Sequence, residues 1–98
     1  MPRQAQVVRR EKLKKLVSQV IVEKGLRMPY HYISEIIDLA VKLRVPARRD
    51  CIANFIAAYC VLRGMSATTA DRVVASSARG RRHWQKKLTY LLSQTHEP

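Results

Sequence analysis

The chain has 98 residues, of which 19 are Lys or Arg and 7 are Asp or Glu, so its formal net charge is +12. Its hydrophobic fraction of 47% is typical of a globular protein, which excludes a disordered basic tail. The length suits one domain with a modest core. A compact domain with this charge repels itself, so the charge indicates a polyanionic partner.

The first predicted helix has one apolar stripe, formed by Leu13, Leu16, Val17, Val20 and Ile21. Gly25 follows the stripe, and a left-handed glycine is a common way for a helix to end. Residues 1–12 are basic and have a poor apolar pattern. We expect them to extend the first helix or to form an arm that orders on its partner, and residues 13–98 to form a single helical domain.

The second helix is expected to begin near Pro29, because proline is favoured in a first turn, and to end before Pro46. Its apolar stripe consists of Ile33, Ile36, Ile37, Ala40 and Val41 and continues to Leu43. The third helix, after Pro46, is apolar on most of its circumference from Cys51 to Leu62, which predicts the centre of the core. This run is shorter than the roughly 20 residues that a membrane span needs.

Gly64 is expected to end the third helix, and Ser66 to cap a fourth helix that reaches Val74. Gly80 indicates a kink or a break. The last helix is marked by Trp84, Leu88, Leu91 and Leu92. The predicted fold is therefore all-α, a compact bundle of four or five short helices with a basic N-terminal helical arm.

Cys51 and Cys60 fall in the same predicted helix, too far apart for a disulfide, whose Cα atoms lie within about 7 Å of each other. The start of the chain has arginines in place of the apolar stretch of a signal peptide. We therefore expect free thiols and a location inside a cell or a virus particle, without secretion or membrane spanning.

The sequence predicts no enzyme. The acidic residues are scattered, and Glu35 and Asp38, one turn apart, are interpreted as a solvated helix surface. The histidines have no partner at metal-ligand spacing, and no Gly-rich phosphate loop is found. We expect no cofactor, no metal and no small-molecule substrate.

The basic residues are more informative because they cluster at both ends of the chain and at the start of the third helix. Phosphate contacts are predicted for Arg3, Arg9, Arg10, Lys14, Lys15, Arg48, Arg49, Arg72, Arg79, Arg81, Arg82, Lys86 and Lys87. Trp84 lies inside the last cluster, but its spacing to Leu88 and Leu91 favours a core anchor over a base-stacking platform.

Two modes of nucleic-acid binding fit this pattern. Residues 60–74 have roughly the form of a helix-turn-helix, with Thr68, Thr69 and Arg72 in the reading position. Base-reading side chains are scarce there, whereas Arg and Lys are spread along the chain. We therefore predict a structural protein that coats or compacts double-stranded nucleic acid, DNA more than RNA, through phosphate contacts. A dimeric helix-turn-helix regulator is the alternative, and a membrane-surface or adaptor module using the first helix is a third.

A basic N-terminal helical arm followed by a small helical bundle resembles the layout of the DNA-coating major coat (nucleocapsid) proteins of filamentous archaeal viruses. The resemblance lies in layout and composition. It implies coating of double-stranded DNA in a helical virion, often by dimers, and hence a homo- or hetero-oligomer in a helical assembly. A chromatin protein would show the same density of Arg in residues 79–87, so a cellular nucleoprotein stays open.

Overall fold

The computed structural model describes residues 2–65 and 78–94, with side chains from residues 7–65 and 79–94. These ranges contain four helices, α1 (Pro2–Glu23), α2 (Tyr30–Lys42), α3 (Arg49–Leu62) and α4 (Ala78–Gln94), and no strand. The predicted all-α bundle is confirmed. The predicted cap at Ser66 and the helix through Val74 lie outside the described residues.

Helix α3 is the centre of the bundle and packs against α1, α2 and α4. All nine residues from Ile52 to Cys60 are buried, which is more than two turns of helix without an exposed position. The most extensive contact is with α4, where the rings of Phe55 and Trp84 meet edge to face with centroids 5.6 Å apart. The apolar circumference of this segment therefore predicted its central position correctly.

Helices α1 and α2 pack on one another and on α3. Helix α1 is continuous from Pro2, so residues 2–12 form its first half. It buries Leu13, Val17, Val20 and Ile21, which are members of the predicted stripe. Helix α2 has Pro29 at its N-cap and buries Leu39, which the predicted stripe did not include.

Three helices end in the same hydrogen-bonded turn, with a residue in the left-handed region and an apolar residue after it. Gly25 (φ 62°) and Gly64 (φ 68°) occupy this position after α1 and α3. After α2 the position belongs to Arg44 (φ 55°), and the next amide, that of Val45, donates to the Ala40 carbonyl at 3.0 Å. A side chain in this conformation costs about 1 kcal/mol relative to glycine.

Gly80 lies in the first turn of a continuous helix, so the expected kink or break is wrong. A Cβ atom at this position would overlap the side-chain amide of Asn54 on α3. Glycine therefore permits the close approach of α4 to α3. Asn54 is buried, and its Oδ1 has no hydrogen-bond partner among the described residues.

Candidate nucleic-acid interface

One side of α4 is apolar and the other is basic. Trp84 and Leu88 are buried toward the core, and Arg82 and Lys86 lie on the opposite side of the helix, exposed to solvent. Arg79 is exposed on the same side, one turn earlier. We call Arg79, Arg82 and Lys86 the α4 surface. It spans roughly 10 Å of helix axis, the length of about three phosphate steps along one DNA strand.

No acidic residue lies in α4, and its first turn contains two arginines. Cations at a helix N-terminus oppose the macrodipole, so a bound anion would relieve an unfavourable interaction there. A shallow open depression continues the basic stripe toward the end of the helix, lined by Arg82, Gln85, Lys86, Thr89, Tyr90 and Ser93. The hydroxyls of Thr89 and Ser93 donate to carbonyls of the same helix, whereas the Gln85 amide and the Tyr90 hydroxyl are further donors for phosphate oxygens.

Arg81 and Lys87 lie apart from the α4 surface. Arg81 is half-buried, and its Nε is buried with no partner among the described residues. The Nζ of Lys87 lies 5.5 Å from the centroid of the Trp84 ring, a cation–π geometry. Because the Trp84 side chain is buried against Phe55, the core-anchor interpretation is confirmed and the ring is not open to a base.

A second basic patch lies on α1. Lys12, Lys14 and Lys15 are exposed on the side of the helix away from Leu13 and the core, and we call these three lysines the α1 surface. Glu11 is part of the same face, so this patch contains a negative charge that the α4 surface lacks.

Three arginines predicted to contact phosphate bind acceptors within the protein. Arg9 donates from Nη2 to the Val45 carbonyl at 2.9 Å and joins α1 to the loop after α2. Arg10 pairs with Asp38 on α2 at 2.6 Å. Arg49, at the start of α3, pairs with Glu23 at the end of α1. These side chains hold helices together, although all three pairs are near the surface.

The contact between Arg9 and Val45 also brings α1 to a loop with two exposed arginines, Arg44 and Arg48. Arg48 is the N-cap residue of α3 and makes no side-chain capping hydrogen bond. It was a predicted site residue, whereas Arg44 was not. Its exposure in a loop could have been predicted because Arg44 lies two residues before Pro46, and a helix commonly ends shortly before a proline.

Glu35 is the largest departure from the sequence interpretation. It accepts a hydrogen bond from the Tyr59 hydroxyl at 2.7 Å and pairs with Arg63, so it links α2 to α3 and is not merely a solvated surface residue. Burial raises the pKa of Glu35, but these hydrogen bonds and the Arg63 charge outweigh it, so the net pKa lies below its usual value. Burial and the bond to Glu35 raise the pKa of Tyr59.

Neither thiol has the setting of a nucleophile. Burial raises the pKa of Cys60 to about 11, and burial also raises that of Cys51. Both are free in the structure. Over residues 2–65 and 78–94 there is no cluster of metal-ligating side chains. None of the helices in these ranges is long and apolar enough to cross a membrane.

The structure therefore groups part of the predicted set. Arg79, Arg82 and Lys86 share one face of α4, and Lys14 and Lys15 lie on α1. The Arg3 side chain, Arg72 and the predicted reading residues Thr68 and Thr69 lie outside the described side chains. Comparison with known proteins gave no match to any family model, curated protein or solved structure.

Proposed function

We propose that this protein binds double-stranded nucleic acid, with DNA favoured over RNA. It contacts the phosphates of the duplex without regard to base sequence, and in this way it coats or compacts the duplex. The observation that carries the proposal is the α4 surface, a row of exposed cations on a helix with no acidic residue. Such a row attracts a polyanion because each neutralised phosphate releases condensed counterions.

The distribution of acidic residues supports this reading. Three of the five acidic residues in the described ranges, Glu23, Glu35 and Asp38, are paired with arginines of another helix. They neutralise arginines that join helices, and the cations of the α4 surface lie outside these three pairs. The three cations of the α4 surface therefore face solvent as a patch of one sign, which steers polyanions toward the domain.

The side chains on this patch suit phosphates better than base edges. Arg, Lys and Tyr side chains donate hydrogen bonds to phosphate oxygens, and Gln85 is the only amide among the described residues that line the depression. Of the Trp and Tyr rings of α4, Trp84 is in the core and Tyr90 alone is exposed, so the described part of this surface offers one ring and not a row of stacking rings. This composition favours contact with a duplex backbone over stacking on single strands.

Packaging of DNA in a virion is one setting for this activity, in line with the resemblance in layout, and a cellular nucleoprotein is another. The helix-turn-helix regulator remains the competing function. Its reading residues would be Thr68, Thr69 and Arg72, and selection of binding sites from random duplexes would return a short palindrome if it were correct.

The test is a salt titration of binding to random-sequence duplexes of increasing length. We expect bound protein to grow in proportion to length and affinity to fall steeply with salt. Replacing Arg82→Gln and Lys86→Gln should reduce the salt slope by about 2 for every sequence alike. The control is Arg27→Gln with Lys42→Gln, which removes the same charge from exposed positions outside both surfaces. Equal losses in the two variants would contradict the proposal.

A further inference from the structure

The two basic surfaces lie on opposite sides of the molecule. On α3, Asn54 and Phe55 face α4, and Arg49 and Ala53 face α1. At about 100° per residue, the midpoints of these two pairs are roughly 170° apart around the helix axis. The buried segment Ile52–Cys60 therefore separates α1 from α4.

Each of these helices turns its cations away from α3. On α4, Arg82 and Lys86 lie opposite Trp84, the residue that packs on α3. On α1, Lys15 lies opposite the buried Leu13, with Lys12 and Lys14 on the two flanks. The α1 and α4 surfaces consequently point in opposite directions across a domain that measures 42 × 35 × 26 Å. One rigid duplex cannot lie flat on both, because duplex DNA resists bending over such short lengths.

We propose that one copy of the chain bridges two duplexes, one on the α4 surface and one on the α1 surface. This inference rests on the proposed binding of double-stranded nucleic acid and specifies its geometry. The α4 surface is the stronger of the two sites because its helix contains no acid, whereas the α1 surface shares its face with Glu11. Bridging would draw separate DNA segments together, which is a different outcome from coating each segment alone.

In the experiment, beads hold an unlabelled 30-base-pair random duplex, and the full chain is added together with a labelled duplex of the same length. The measurement is the amount of labelled duplex that the protein retains on the beads. Three triple Lys/Arg→Gln variants each remove three positive charges. The α4 variant carries Arg79→Gln, Arg82→Gln and Lys86→Gln. The α1 variant carries Lys12→Gln, Lys14→Gln and Lys15→Gln. The control carries Lys24→Gln, Arg27→Gln and Lys42→Gln, at positions outside both surfaces.

The wild-type chain and the control should capture the labelled duplex, within about twofold of each other. With each surface variant, the amount of captured labelled duplex should fall at least tenfold, because the loss of three phosphate contacts weakens binding by more than tenfold near physiological salt. Each variant should still bind a single duplex in solution. Circular dichroism of each variant, with the helical signal of the wild-type chain, shows that the variant is folded. Native mass measurement should give two short duplexes per wild-type chain and one per surface variant.

The alternative outcomes separate the two proposals. A wild-type chain that binds no duplex overturns the proposed function. A wild-type chain that binds duplexes but captures none leaves the proposed function in place and overturns bridging. Surface variants that capture as well as wild type would show that self-association joins the duplexes, which also overturns the inference.

Discussion

Four arginines in or next to α1 and α3 and the cations of α4 carry the same charge in different surroundings. Arg9, Arg10, Arg49 and Arg63 each contact an acceptor on another part of the fold, a carbonyl for Arg9 and carboxylates for the others. The α4 surface has no acid on its own helix. The comparison teaches that an acceptor on a neighbouring part of the fold, more than the density of basic residues, separates cations that join helices from cations that face solvent.

The largest effect is expected at Trp84, which lies in the basic segment but belongs to the core. Trp84→Ala should lower the free energy of unfolding by about 3–5 kcal/mol, because it leaves a cavity against Phe55. Denaturant unfolding followed by circular dichroism measures this, since the variant lacks the chain's single tryptophan. A stable Trp84→Ala variant with weakened binding would mean that the ring contacts nucleic acid.

The second prediction compares the two groups of cations directly. Arg82→Gln with Lys86→Gln should weaken binding to a random duplex roughly 30-fold near 150 mM salt, from the loss of two phosphate contacts. Arg10→Gln with Arg49→Gln removes the same charge but should change affinity less than about threefold, because Asp38 and Glu23 already pair with these arginines. Similar losses of affinity in both variants would show that the paired arginines and the α4 cations contribute equally to binding.

The third prediction concerns the close approach of α4 to α3. Gly80→Ala should destabilise the fold by about 1 kcal/mol, because overlap with Asn54 exceeds the gain in helix propensity. Adding Asn54→Ala should relieve the overlap, so thermal unfolding of the two single variants and the double variant should show coupling of about 1 kcal/mol. Additive effects would show that the two residues do not meet.

The smallest effect is a pH dependence of stability from Glu35. Its pKa is lowered in the folded protein, so its contribution is present above the unfolded pKa near 4.3 and is lost as pH falls through the folded value. Because the pair with Arg63 is more than one-third exposed on the Glu35 side, screening holds the contribution below about 1 kcal/mol. Glu35→Gln should lose less stability than wild type between about pH 5 and pH 3 in denaturant unfolding. A steeper decline in the variant would contradict this assignment.

The helical fold could be predicted from the sequence because its main signals are local. An apolar run from Cys51 to Leu62 indicated the buried centre, and Gly25 and Gly64 marked two helix ends. Arg44 has the same backbone role without being glycine, so residue type gave no indication of its left-handed conformation. Gly80 shows the reverse case, because a glycine that suggests a break instead allows two helices to meet.

The candidate site could be predicted only in outline, since the partner of a charged side chain is set by the fold. Glu35 contacts Tyr59 and Arg63, which are 24 and 28 residues away, and Arg9 contacts Val45 across 36 residues. No local sequence pattern indicates which residues at such separations come into contact. Helical periodicity does place Arg82 and Lys86 opposite Trp84. Part of the α4 surface could therefore be predicted from the sequence by assigning each residue to the apolar or the basic side of the helix.

The segment Ile52–Cys60 also bears on how such a protein can diverge. A residue covered on every side tolerates single replacements of similar volume, whereas a larger change in volume requires a compensating change in a neighbour. The proposed phosphate contacts of the α1 and α4 surfaces would require only positive charge, so Lys and Arg could replace each other there singly. Related chains would therefore keep their shape and charge while losing most sequence identity at the surface, and α3 would be the slowest part of the chain to change.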